Sequence, residues 1–200
     1  MKLIAITDDK HSVHELSSII LQIKDRIDFI HIREKSKTTK QLLKLLELLI
    51  MGNLPKEKIV MNNRLDVSLL MDIPNIHLPS YGLPVKKVKQ KCPHFTVGQS
   101  VHTFKEATEA EADGADYVLY GHCFETKSKQ GKTPNGLETL RQIKENLSIP
   151  VFAIGGITPE RIHQLQRIRA NGIAVMSGIF SASSPTDSTS LYYKKCKDNI

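Results

Sequence analysis

Two hundred residues suit one domain with a substantial core, and 40% hydrophobic with 24% charged residues is an ordinary globular composition. A net charge of +7 and a pI near 9.3 favour anionic partners, but the lysines scatter along helical faces without an aromatic-interleaved basic stripe, which argues against nucleic acid and for a phosphorylated small molecule. No apolar run approaches the ~20 residues of a membrane span, and Cys92, Cys123 and Cys196 are too far apart for a disulfide framework or a zinc site, so a cytoplasmic protein without membrane contact is expected.

Eight strand-then-helix units follow in chain order. Leu3–Thr7 is the first strand, too short and too soon followed by Asp8-Asp9 to be a signal sequence. A helical pattern over Val13–Ile27 leads to a strand at Phe29–Arg33, and Thr39–Met51 leads to Ile59–Asn62. Leu65–Met71 precedes the strand Ile76–Leu78, Val85–Lys91 precedes Phe95–Ser100, and Phe104–Asp113 precedes Tyr117–Gly121. Helices at Leu137–Leu147 and Pro159–Ala170 alternate with strands at Val151–Ile154 and Ile173–Met176. The polar segment 181–190 is read as the final loop before a last helix after Pro185, with Asp187 or Ser188 able to cap it. Strict alternation implies a parallel sheet with helices outside, and eight units favour closure into a single-domain (β/α)8 barrel spanning residues 1–200.

Strand parity selects which side chains reach the barrel mouth. In FIHIRE, Ile30 and Ile32 share an apolar face, so His31 and Arg33 point inward. In YVLYGHC, Val118, Tyr120 and His122 share one face, and Cys123 takes the other, which weakens a Cys–His nucleophile. Asn62 and Ser100 close their strands, with His102 two positions further on. These polar residues gather at C-terminal strand ends, where active sites of this fold lie.

The stretch Pro150–Phe180 carries the clearest chemistry. Gly155-Gly156 follows one buried strand and Ser177-Gly178 follows the next, at Met176. Turns without bulky side chains let an anion approach backbone N–H groups, so a phosphate is expected at Gly155, Gly156, Met176, Ser177 and Gly178. Thr158-Pro159-Glu160 reads as a helix start and Asn171-Gly172 as its stop.

Taken together, AITDD (5–9), HIREK (31–35), VMNNRLDVSLL (60–70), IHLP (76–79), VGQSVHT (97–103), ADYVLYGHCFETKSKQG (115–131), VFAIGGIT (151–158) and GIAVMSGIF (172–180) resemble the thiamine-phosphate synthase superfamily over essentially the whole chain. GHCFET and the PSYG turn look most like its thiazole tautomerase (TenI) branch. A synthase of this kind would bind a pyrimidine methyl diphosphate through Mg²⁺. It would typically carry an acidic residue where this chain has Asn63, and a Gly-Gln-acidic loop where it has Pro79-Ser80-Tyr81-Gly82. The proline usual after the glycine of the sixth strand is His122 here.

On that resemblance the expected activity is a thiazole tautomerase, using no cofactor and no metal. It would isomerise a carboxylated 2H-thiazol-5-ylidene ethyl phosphate to its aromatic thiazole. His122 would be the acid/base, since an imidazole with an ordinary pKa of ~6.5 offers both protonation states near neutrality. Arg33 is the candidate for the substrate carboxylate, with an ion pair to Glu34 as the other reading. Asn62 and Ser100 would touch the substrate or simply finish their strands. By position, Thr126, Lys127 and Ser128 lie where the superfamily touches thiazole phosphate, in a loop from Phe124 to Gly136 long enough to cover the mouth. The alternatives are a thiamine-phosphate synthase, or a non-catalytic regulator that binds a thiazole phosphate. A homo-oligomer is left open.

Overall fold

The computed structural model describes residues 1–126 and 129–198. Its strands are β1 (Lys2–Ile6), β2 (Phe29–Ile32), β3 (Ile59–Asn62), β4 (Asn75–Leu78), β5 (Thr96–Val101), β6 (Tyr117–Gly121), β7 (Val151–Ile154) and β8 (Gly172–Val175). Each pairs in parallel with the next, and β8 returns to β1, so the barrel is closed. Around it lie α1 (Val13–Ile23), α2 (Thr39–Met51), α3 (Leu65–Leu70), α4 (Val85–Lys91), α5 (Phe104–Ala112), α6 (Gly136–Asn146), α7 (Ile162–Arg167), α8 (Ser177–Phe180) and α9 (Pro185–Lys197). This is the (β/α)8 barrel that the alternation implies. No described helix is long and apolar enough to cross a membrane.

Local chemistry accounts for these elements. Ser12 with Glu15 and Thr38 with Gln41 form reciprocal capping boxes that start α1 and α2. Leu42, Leu45, Leu46 and Leu49 are fully buried on one face of α2, at the i, i+3, i+4, i+7 spacing that turns a stripe toward the barrel. Burial of each is worth roughly 2 kcal/mol.

The strands present two apolar faces. Ala5, Ile30, Ile32, Met61, Ile76 and Val118 pack beneath the helices. Ile4, Ile6, Tyr117, Leu119, Phe152 and Ala174 fill the barrel interior.

Several boundaries differ from the sequence-based expectation. The pattern over Val13–Ile27 divides into α1 and a 3₁₀ turn at Lys24–Arg26. Pro159–Arg161 is likewise a 3₁₀ turn, and the α-helical part begins only at Ile162. Asn171-Gly172 does not stop that helix. Arg169 adopts the left-handed conformation (φ 62°), and Ala170 N–H returns to the Leu165 carbonyl at 3.1 Å, which closes the helix two residues earlier. The cap of α9 is Ser184, whose hydroxyl accepts from Asp187 N–H, rather than Asp187 or Ser188. Ser177-Gly178 opens the short helix α8 instead of making a plain turn.

Candidate active site

At the C-terminal ends of the strands lies a cavity of about 320 Å³. Arg33 after β2, Asn62 of β3, Ser100 of β5, His122 after β6 and Thr126 in the loop beyond all line it. An adjoining cavity of about 240 Å³ shares Thr126, Gly155 and Met176 with the first and extends to Gly156, Ser177 and Gly178. The residues that sequence reasoning selected from opposite ends of the chain thus border two cavities with a shared wall. Lys127 and Ser128 lie outside the described residues.

The glycines are required by shape. Gly155 and Gly156 have φ of 99° and 65°, and a Cβ on Gly155 would lie 2.3 Å from the His122 Cβ. A Cβ on Gly156 would lie 2.2 Å from the Glu125 carbonyl oxygen. The backbone of this turn therefore packs directly against the segment leaving β6, leaving its outer surface to the cavity. Beside it, Arg161 donates from Nη1 to the Gly156 carbonyl at 2.7 Å while its guanidinium lies 4.8 Å from the Phe124 ring centroid. Arg161 lines the second cavity and puts a cation there. Sequence reading missed it, because only the fold brings the first turn after β7 under the β6 loop.

His122 is buried in the wall of the main cavity, its Nε2 3.3 Å from the Lys132 carbonyl, while Nδ1 has no partner among the described residues. It does not share a face with Val118 and Tyr120, as strand parity suggested. Those two pack beneath the helices, and period-two alternation ends with β6 at Gly121, after which the chain turns His122 into the mouth. Cys123 does face away: burial pushes its thiol up to about 12, which rules out a ready thiolate.

Glu34 pairs with Lys37 and accepts from Asp9 N–H, and no ion pair of Arg33 occurs among the described residues. Lys35 joins Arg33 in the wall and donates to the Tyr81 hydroxyl at 3.2 Å. Lys129 completes a cationic rim, with burial and then the Lys132 ammonium holding it below the ordinary lysine value. His102 also borders the cavity, its Nδ1 2.6 Å from the Gly121 carbonyl.

Beneath the mouth, a polar column runs down the barrel. Ser100 Oγ lies 2.8 Å from His77 Nε2, His77 Nδ1 lies 3.3 Å from the Tyr117 hydroxyl, and that hydroxyl lies 3.4 Å from His31 Nε2. Sequence reasoning placed His31 inside the barrel but assigned His77 nothing. The inward parity of His77 in NIHL was the available signal. Burial depresses both imidazoles, His77 to about 3 and His31 well below the usual value, and the His77 ring further opposes the charging of His31.

This predicts acid sensitivity. An unfolded histidine takes up its proton near pH 6.5, whereas folded His77 does so only near 3. Stability is therefore full above about pH 6.5 and falls as pH drops through that window, by roughly 1.4 kcal/mol per pH unit for each such imidazole. Denaturation midpoints at pH 7 and pH 5 should show the loss, and a His77→Gln variant should lose less.

Comparison with known proteins gives this arrangement its context. The family model described as thiamine monophosphate synthase matches residues 3–179. A thiamine-phosphate synthase of Caldivirga maquilingensis is 32% identical over 94% of this chain and 93% of its own. One of Pyrococcus furiosus is 33% identical over 91% of this chain and 88% of its own. The solved thiamine phosphate pyrophosphorylase from Pyrococcus furiosus superposes with a TM-score of 0.82 at 30% identity, covering 97% of this chain and 94% of that one. These findings overturn the tautomerase expectation: relatives similar along nearly their entire length carry the synthase name, and the divergences at Asn63, the PSYG turn and His122 do not outweigh that. With a family model matching residues 3–179 and relatives about a third identical over nine-tenths of the chain, the chain belongs to the thiamine monophosphate synthase family.

Proposed function

We propose that this protein is a thiamine-phosphate synthase, joining a pyrimidine methyl diphosphate to a thiazole phosphate in the cytoplasm. The observation that carries the reading is the full-length similarity to synthases, at about a third identity. The two adjoining cavities support it, since the reaction needs room for two phosphorylated rings.

In this reading the thiazole phosphate takes the smaller cavity, its phosphoryl oxygens against the turns at Gly155-Gly156 and Met176-Ser177-Gly178, with Arg161 alongside. The pyrimidine diphosphate takes the larger one, its charge met by Arg33, Lys35 and Lys129. The thiazole ring nitrogen attacks the pyrimidine methylene carbon. The carbon–oxygen bond to the diphosphate breaks, and its electron pair leaves with the diphosphate. Holding both rings in line is the chief contribution asked of the protein. Asn62, Ser100, Thr126 and His122 are the polar side chains that would orient them. With its Nε2 directed at the Lys132 carbonyl, His122 keeps Nδ1 as a buried acceptor, unpaired among the described residues, and meets the cavity with the rest of its ring.

Magnesium, which the family resemblance implies, does not fit the residues present. No carboxylate lines the main cavity among the described residues, and no three His, Cys, Asp or Glu side chains come together there to hold a metal. Asn63 offers only an amide oxygen, which faces Gly82: a Cβ on that glycine would lie 2.9 Å from it. A small, hard cation prefers carboxylates. No step is assigned to a metal.

The test supplies both substrates with and without Mg²⁺ and measures thiamine phosphate against released diphosphate. Equimolar formation of the two is expected. Absence of thiamine phosphate in both arms would sink the assignment.

A further inference from the structure

The polar column under the mouth has a direction. Both imidazoles are kept neutral by burial, so each ring carries one N–H and one bare nitrogen. Every link then depends on the next. If Ser100 donates its proton to His77 Nε2, His77 must donate from Nδ1 to the Tyr117 oxygen. The Tyr117 hydroxyl must then donate to His31 Nε2, and His31 carries its proton on Nδ1. In the opposite sense, His31 Nε2–H donates to Tyr117, Tyr117 donates to His77 Nδ1, and His77 Nε2–H donates to Ser100.

The lower end of the column chooses between them. His31 is 1% exposed, and its Nδ1 has no partner among the described residues. The first sense would leave a buried N–H donor unsatisfied at that atom. The second leaves a bare lone pair, the less costly kind of orphan in protein interiors. Tyr117 cannot alter this by ionising, because burial drives its hydroxyl further above the usual phenol value.

We infer that His31, Tyr117 and His77 form a positioning relay that commits Ser100 to accept from below, so that its own hydroxyl proton is offered upward to an acceptor atom of the ligand in the mouth. The mouth ligand that meets Ser100 thus presents a lone pair, such as a ring nitrogen or an anionic oxygen, rather than an N–H. Ser100 borders the cavity and makes the shortest contact of the column, at 2.8 Å to His77. None of the three relay residues needs to touch substrate.

The inference rests on the synthase reading only for the identity of the ligand. Two experiments test it. The first records long-range ¹H–¹⁵N correlations of the histidine rings in the full-length protein at neutral pH. His31 and His77 should both be the Nε2–H tautomer, and an Nδ1–H signal from His77 would overturn the proposal whatever the protein catalyses. The second measures substrate affinity by calorimetry with the pyrimidine diphosphate and with the thiazole phosphate. Ser100→Ala should weaken one of the two about five-fold, as loss of one hydrogen bond does. Tyr117→Phe keeps the ring and leaves His77 Nδ1 a bare lone pair, so His77 should stay Nε2–H and the same ligand should bind within about two-fold of wild type. Loss of neither ligand on Ser100→Ala, or an Nδ1–H signal from His77 in Tyr117→Phe, would overturn the relay. Failure of the wild type to bind either ligand would count against the synthase reading, and the tautomer measurement would still decide the relay.

Discussion

Gly156→Ala is expected to weaken thiazole-phosphate binding roughly hundredfold, a loss of about 3 kcal/mol. Two costs combine. An alanine held at φ 65° sits in the left-handed region, which costs ~1–2 kcal/mol on its own. The added methyl would also lie 2.2 Å from the Glu125 carbonyl oxygen and 2.7 Å from that of Phe124. Both neighbours are backbone and cannot swing aside as a flexible side chain can. The turn must therefore rotate, carrying its N–H groups away from the phosphate position and disturbing the Gly156 carbonyl that anchors Arg161. Calorimetric titration with the thiazole phosphate measures the effect. An unchanged dissociation constant would place the phosphoryl group elsewhere.

Gly98→Ala should be the most damaging single methyl in the barrel, with an expected loss of about 3 kcal/mol. Its Cβ would overlap the Tyr117 ring, at 1.9 Å from Cζ and 2.3–2.4 Å from the two Cε atoms. The ring has no free direction of escape. It stacks on His77 at 5.8 Å, meets Phe152 edge-on at 5.5 Å, and tilts against His31 at 6.4 Å. For a chain of this size the melting temperature should fall by roughly 10 °C. Adding Tyr117→Leu to the variant should restore part of the loss by vacating the ring's volume. A melting temperature within a degree of wild type would show that the ring does not occupy the interior opposite β5.

The two predictions concern glycines with different legibility. Gly156 belongs to a Gly-Gly turn after a run of buried apolar residues, and its role can be read locally. Gly98, inside VGQS, resembles any strand glycine. Only the register Gly98↔Tyr117 between β5 and β6 shows why a side chain is forbidden there. The same contrast applies to the site. Arg33, Asn62 and Ser100 could be proposed because each ends a strand, and every such end faces the mouth once the barrel closes. His77 lies one residue inside its strand, and its partners Ser100 and Tyr117 are 23 and 40 positions away, so nothing nearby marks it. His122 was selected for its chemistry, but the parity argument that pointed it inward failed, because alternation holds only while the backbone remains in the strand.

The choice between branches of the family was also harder to read. Asn63, the PSYG turn and His122 are conspicuous substitutions, and weighing them alone favoured a tautomerase. Similarity distributed over the remaining chain points to the synthase, because a few substitutions at the mouth carry less information than a whole sequence.

What the chain's own order of residues determined is the alternation of buried strands with amphipathic helices, hence the closed barrel, and the glycine turns after the seventh and eighth strands. These follow from short-range rules: side-chain period, capping and backbone freedom. Tertiary structure alone decided which polar groups meet, from Arg161 at the Gly156 carbonyl to the column joining Ser100, His77, Tyr117 and His31. Barrel closure and strand register bring those residues together across long stretches of chain, and no local pattern records such distances.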